Sequence, residues 1–384
     1  MPFTGKATYA AGAALPELAE DVSDLVALNS PHETPLLDAL GDPPRAAHST
    51  VHEWVEDALL PNTAKVNDAT YADPATDAQF VVDAADRFRV GDQVKLEDKS
   101  EVMLVTAVNV GTNTLTVVRG YGGSTPAALS DGATVVILGN AALEGDDASA
   151  ARFTNRSRKT NYTQIFAATV DVSGSQLAVQ HVGVADELEY QKQQRARELI
   201  RDLENSVING RAAAASPEGS GTVRRTMKGL LSLIATNRFA VGAAGFPADP
   251  YLTEEQLNTA LGDIWRSSSG RVDLIVVGGR QKRSINGFGA NQRRFAQGDE
   301  SYKRQVSIYE SDYGVCQVVL CRWVPAGTVL LLDSSRIDVL PLAGRSFHYK
   351  PLASVGDRTG GQLIGEYTLE LRNENAHGVI TGLE

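Results

Sequence analysis

Residues 184–213 read VADELEYQKQQRARELIRDLENSVINGRAA, and the rest of the chain is organised around them. Val184, Leu188, Leu199, Leu203 and Val207 recur at steps of four or eleven, which return to nearly the same side of a helix, with Ile200 and Ile208 beside them. The spacing predicts a single helix of about 45 Å, against a usual globular helix of about a dozen residues. Lys192 and Arg195 interrupt the stripe, so it is not a continuous coiled-coil seam. The opposite face is charged, which excludes a membrane span. A rod with one apolar edge suits a strut with a sheet along one side, and the flanking sequence reads mainly as short strands.

The chain has 384 residues, enough for two or three domains. Hydrophobic residues make up 42% and charged residues 22%, which predicts globular folding rather than disorder. The net charge of −11 argues against a dedicated nucleic-acid binder, because phosphate affinity comes from clustered Lys and Arg. It leaves room for a protein that lies near DNA without gripping it. Cys316 and Cys321 are separated by an odd number of positions, so on one strand they point to opposite faces. They are expected to be free, buried, small apolar residues, as in a reducing compartment. The first twenty residues lack an apolar core of signal-peptide strength, and no run reaches membrane-spanning length. A protein kept or assembled in cytoplasm is expected.

Residues 1–50 read as an arm: Pro16, Pro31, Pro35, Pro43 and Pro44 divide it, leaving short amphipathic pieces at Leu18–Leu28 and Thr34–Leu40. His52, Trp54 and Val55 suggest a strand. Residues 81–139 form a separate β module, with alternation at Val102, Leu104 and Thr106 and at Leu115 and Val117. Gly91, Gly111 and Gly132 mark its turns. Four or five strands in this span predict a small barrel or sandwich, inserted between polar segments that resemble each other. Beyond the long helix, Thr253 and Gln256 match a capping box, followed by a helix face of Leu257, Leu261, Ile264 and Trp265. RVDLIVVGG (271–279) reads as a buried strand, with further strands expected at 304–310, 315–323, 328–332, 336–340, 345–350 and 362–371.

Chemistry is sparse. No phosphate-binding loop or nucleophile elbow is present, and six scattered histidines show no metal-ligand spacing. No cofactor, metal or catalytic residue is expected, and the balance shifts toward a structural role. One local charge excess stands out: Arg280, Lys282, Arg283, Arg293 and Arg294 fall between Gly279 and Gly298 without an acidic residue. It reads as a solvated helix face, as a partner for acidic neighbours, or as a contact with another copy or a packaged polyanion.

The order of parts, together with Asn29–Leu40 (NSPHETPLLDAL), His52–Ala58 (HEWVEDA), Arg158–Gly174 (RKTNYTQIFAATVDVSG) and Gly365–Leu383 (GEYTLELRNENAHGVITGL), resembles the major capsid (major head) protein of tailed bacteriophages. This is the Hong Kong or Johnson fold, in a subgroup with a β insertion in the extended loop. The resemblance implies an α+β fold with an N-terminal arm (1–50) and an extended-loop region (51–170) containing the inserted all-β module (81–139). A P-domain spine helix (171–215), an A-domain (216–334) and P-domain return strands (335–384) complete it. It implies a structural, non-enzymatic protein that assembles with itself as hexamers and pentamers into an icosahedral or prolate head around double-stranded DNA. A separate scaffolding protein, a portal protein and packaged DNA, contacted without sequence specificity, are the implied partners. The virion capsid, assembled in host cytoplasm, is the implied location, with no membrane contact. Candidate inter-subunit contacts are Leu36, Leu37 and Leu40 on a neighbour's apolar groove, Arg152, Arg156, Arg158 and Lys159 against acidic residues, and Arg293 and Arg294. The alternatives are a host nanocompartment shell of the same fold and a soluble enzyme with an accessory β domain.

Overall fold

The computed structural model describes residues 33–43, 45–69, 73–145, 151–179, 186–288, 308–353 and 356–384. The chain forms two compact units, one from Met1–Trp54 with Arg158–Glu384, the other from Val55–Ser157. A two-stranded ribbon, Val51–Glu56 with Ser157–Tyr162, carries the chain out of the first unit and back.

The spine helix of the first unit runs over Glu187–Asn209, 23 residues, or about 34 Å, and so is shorter than the 45 Å expected. Its start is set by Asp186, whose carboxylate accepts the amides of Leu188 and Glu189. Its end is set by a backbone crossing: the Gly229 amide donates to the Gly210 carbonyl at 2.9 Å. A Cβ on Gly210 would sit 2.4 Å from the Ser206 carbonyl oxygen, and one on Gly229 2.6 Å from the Gly210 nitrogen, so both positions require glycine. Leu199, Leu203, Val207 and Ile208 are buried, while Ile200 is 38% exposed. Leu188 is half-buried, so among the described residues full burial of the stripe is confined to its C-terminal half; Val184 lies outside them.

This helix packs on a four-stranded antiparallel sheet built around the fourteen-residue strand Arg358–Leu371. Gln164–Ser173 pairs along one edge of that strand; His348–Pro351 and Ile337–Pro341 share the other. Leu363, Leu369 and Leu371 point into the core with Leu203 and Val207, as period-two alternation requires.

A six-stranded mixed sheet follows the order Arg238–Ala240, Gly378–Thr381, Val329–Leu332, Leu274–Val277, Gly314–Leu320, Ile308–Ser311. Leu274–Val277 and Val329–Leu332 are buried on both faces, hence their continuous apolar sequence. Leu274, Val276, Leu330 and Leu332 join the spine-helix core. Ile275, Val277, Val329 and Leu331 join a second core beneath helix Glu254–Ser267. Cys316 and Cys321, both free, fall in these two different cores. Thr253 and Gln256 form the expected capping box. Of the expected helix face, Leu257, Leu261 and Ile264 are buried, whereas Trp265 is 64% exposed and lies beside Tyr313 with ring centroids 5.9 Å apart.

The second unit is an antiparallel barrel in the order Thr63–Lys65, Thr134–Asn140, Asp92–Leu96, Val102–Asn109, Thr114–Val118, Gln79–Val81. The first and last strands meet at a Val66–Val82 bridge, with Asn67 N–H donating to Val81 O and Asp83 N–H to Lys65 O, each at 2.9 Å. The sheet thus begins well before the expected start at residue 81, taking in Thr63–Lys65 and a strand, Gln79–Val81, that straddles it. Its interior holds Phe80, Val94, Leu96, Met103, Val105, Leu115, Val117 and Val135. On Val102–Asn109 the inward residues are Met103 and Val105, opposite to the set Val102, Leu104 and Thr106 read from the alternation. The strand's apolar run leaves both registers open, and contact with the barrel interior selects one.

Candidate assembly surfaces

The arm reaches the first unit as a short helix, Pro35–Leu40. Thr34 provides no side-chain cap. Instead, Glu204 of the spine helix accepts the Leu37 amide at 3.2 Å and the Cys321 thiol at 3.1 Å. Burial raises the Glu204 pKa, and the hydrogen bonds from Cys321 and Leu37 only partly oppose it. Burial likewise pushes the Cys321 thiol up to about 12. Leu36 is 0% exposed in the spine-helix core, with Leu37 and Leu40 packed against it. Leu36 is thus occupied by its own subunit and is not free to cap a neighbour's groove. The helix pattern of Thr34–Leu40 was legible; its acceptor was not, because Glu204 lies far away in sequence.

The strand Arg358–Leu371 has a second face, lined by Glu366, Thr368 and Glu370, all buried. Glu366 accepts from Arg225 at 2.5 Å and Thr163 Oγ1 at 2.6 Å, and pairs with Arg345 at 2.8 Å. Glu370 meets Arg45 and His52, each at 2.6 Å, and Arg45 also reaches Asp338 at 2.9 Å. Burial alone would raise the Glu370 pKa, but hydrogen bonds from His52 and Arg45, with their charge, outweigh it and hold the carboxylate below its ordinary value. Two carboxylates on one strand therefore fasten the arm, the ribbon and residues 225 and 345 to a single sheet face. Sequence reading passed over them, although the alternation in EYTLEL carries the signal.

The predicted basic contacts are exposed and mostly engaged locally. Arg158 pairs with Glu53 at 3.3 Å, Arg156 with Asp57 at 3.9 Å, and Arg152 donates to the Asp86 carbonyl at 2.9 Å. Lys159 is exposed. Such surface pairs contribute about 0–1 kcal/mol and exchange readily for other partners. Arg293 and Arg294 lie outside the described residues. Within the rest of that basic run, Arg280 and Arg283 are exposed, whereas Lys282 is buried and donates to the Val318 carbonyl at 3.2 Å. Burial lowers the Lys282 pKa. The run is thus not one solvated face.

Apolar side chains are left uncovered on both units. On the last two strands at one side of the six-stranded sheet, Ile308 is 59% and Val315 47% exposed. On the segments flanking the barrel, Leu59 is 93% and Phe153 78% exposed. Among the described residues no group of three or more His, Cys, Asp or Glu side chains has metal-site geometry. No helix among them is long and apolar enough to cross a membrane.

The architecture is matched by solved phage-type capsids. The capsid of a native GTA particle is 12% identical with a TM-score of 0.55, covering 99% of both chains. The Microbacterium phage Oxtober96 structure is 14% identical with a TM-score of 0.51, covering 95% of this chain and 96% of that one. At these identities the likeness establishes the fold: an α+β phage major-capsid fold over nearly the whole chain. No curated protein matches the sequence. The sequence matches the profile of the SU10 major capsid protein over residues 3–384. The chain belongs to the SU10 major capsid protein family.

Proposed function

We propose that this chain is the structural shell subunit of a tailed phage, assembling as hexamers and pentamers into an icosahedral or prolate head around double-stranded DNA. The observation that carries this reading is the family match across residues 3–384, on a fold shared end to end with particle-forming capsids. In this reading the spine helix and the sheet around Arg358–Leu371 form the P-domain, the six-stranded sheet the A-domain, and the barrel stands on the extended loop. The open sheet edges and the exposed Ile308, Val315, Leu59 and Phe153 are contacts between copies. Many such weak contacts, repeated around a closed lattice, add up to a stable shell. Arg152, Arg156, Arg158 and Lys159 exchange local carboxylates for those of neighbours, and Arg293 and Arg294 meet another copy. The net charge of −11 suits a wall that holds DNA without gripping it. A separate scaffolding protein and a portal protein act in assembly in the host cytoplasm, and the finished protein resides in the virion capsid.

The test is the content of particles purified from producing cells. Nuclease-protected double-stranded DNA is the expected result. Particles that enclose a protein guest and no nucleic acid would instead identify a nanocompartment.

A further inference from the structure

Where the end of helix Glu254–Ser267 meets the turn between strands Ile308–Ser311 and Gly314–Leu320, the first unit has a cavity of about 250 Å³. Leu261, Ile264 and Cys316, all buried, supply an apolar floor. Trp265, Tyr313 and Arg271 form the rim, and all three are exposed. The two rings stand 5.9 Å apart at 42°, as a wedge rather than a stack. Two glycines shape this rim. A Cβ on Gly262 would sit 2.7 Å from the Tyr313 hydroxyl oxygen, so glycine there lets the ring lie against the helix. A Cβ on Gly314 would come within 3.3 Å of Arg271 Nε, so the guanidinium rests over bare backbone.

The polar groups around the cavity divide into engaged and idle. Ser268 Oγ donates to the Ile264 carbonyl at 2.8 Å, Ser311 Oγ donates to the Gly314 carbonyl at 2.9 Å, and Ser269 Oγ accepts from Arg336 at 3.4 Å. Among the described residues, the Arg271 guanidinium, Trp265 Nε1 and the Tyr313 hydroxyl have no hydrogen-bond or ion-pair partner. The nearby carboxylates are committed elsewhere. Asp333 holds Arg336 and the Arg271 amide, Asp273 holds Ser334, and Asp263 pairs with Arg266. Asp312 is exposed on the turn and does not line the cavity. Arginine and tryptophan side chains can only donate. The occupant that complements this rim therefore brings an acceptor, best an anion, on an apolar body. Trp, Tyr and Arg are also the side chains that carry most of the energy at protein interfaces.

We propose that this cavity receives a segment of a partner protein in which a large apolar side chain adjoins an Asp or Glu. The apolar group fills the cavity between Trp265 and Tyr313, and the carboxylate meets Arg271. An exposed ion pair alone is weak. Here the apolar anchor removes the pair from bulk water, which strengthens it and makes the site selective for acidic over basic segments. The exposed indole, which is costly to leave in water, becomes the covered centre of a small interface.

The test titrates the full chain, in whatever assembly state it purifies, with the end-capped peptide Glu-Leu-Leu-Glu, followed by saturation-transfer NMR. Its outcome is independent of shell formation. Saturable binding in the millimolar range is expected, with Lys-Leu-Leu-Lys and Glu-Ser-Ser-Glu each roughly tenfold weaker. Arg271→Glu and Trp265→Ala, both at exposed positions, should each weaken binding roughly tenfold with circular dichroism unchanged. No saturable binding, equal binding of either control peptide, or indifference to both substitutions would overturn the proposal. Octanoate binding as tightly as the peptide would overturn it by making the occupant a free amphiphile. Self-association in sedimentation that is lost in Trp265→Ala would overturn it by making the occupant a second copy.

Discussion

The barrel and the remainder of the chain handle sheet edges and buried charge in opposite ways. The barrel joins its first and last strands through Val66 and Val82, leaving no open edge in its sheet. Among the described residues, the six-stranded sheet of the first unit ends in Arg238–Ala240 on one side and Ile308–Ser311 on the other. Buried charge follows the same division. In the barrel, Glu101 is 0% exposed and accepts Arg119 Nε and Nη2 at 2.8 Å each, plus the amides of Gly120 and Ala127. Arg119 also donates to the carbonyls of Asp77 and Ala127. Every partner lies within the barrel unit. In the first unit, Glu366 and Glu370 gather partners from residues 45, 52, 163, 225 and 345. A self-satisfied β module can be carried on a host fold without competing for its contacts. A host with open edges and charges that tie distant segments is suited to meeting other copies.

The largest effect should come from breaking the barrel's internal pair. Glu101→Ala leaves Arg119 buried without its carboxylate and is expected to cost about 3–5 kcal/mol. The loss should appear in the barrel transition of a denaturant melt, with the transition of the first unit unmoved. Leu36→Ala should act on the other side of the comparison. It opens a cavity between arm and spine helix worth about 3 kcal/mol, read as lowered stability of the first unit with the barrel intact.

Acid should also divide the two units. His377 is 0% exposed, accepts the Asp333 amide on Nδ1 at 3.1 Å, and directs Nε2 to the Arg372 carbonyl at 3.4 Å. Burial lowers its pKa to about 4. The unfolded chain protonates this imidazole near its ordinary value of 6.5, so the unfolded state gains protons first as pH falls. Stability of the first unit should therefore drop by about 2 kcal/mol between about pH 7 and pH 5. His377→Asn should flatten that slope. Glu370, held low, contributes its own loss only below its ordinary value of 4.5. The smallest effect on stability, within about 0.5 kcal/mol, is expected for Ile308→Lys at the open edge. Its consequence should be seen instead in slower or absent particle formation, followed by light scattering.

What could be read from the sequence follows period and capping. The spine helix, the capping box at Thr253 and the buried strand Leu274–Val277 were legible because each depends on neighbours three or four residues away or on a continuous apolar run. Their limits were less so. The helix ends at Gly210 because Gly229 crosses it, and no local pattern announces a partner nineteen positions on. Barrel closure was hidden for the same reason, since it rests on Val66 meeting Val82 across a polar connection. Spacing groups Trp265 with Leu257, Leu261 and Ile264, but its neighbour Tyr313 sits in the distant turn between strands Ile308–Ser311 and Gly314–Leu320, and the indole stays exposed beside it. At the assembly surfaces, the apolar spacing of Leu36, Leu37 and Leu40 is local and legible, but the socket that buries Leu36 is the spine-helix core of the same chain, which no local pattern announces.

The central claim is that the subunit's open edges are completed by other copies in a closed lattice. Electron microscopy of the purified protein, expressed with its assembly partners, tests it most directly. Closed particles of uniform diameter, built from hexameric and pentameric units, are the predicted result. A monodisperse single chain that forms no particles under those conditions would contradict the account.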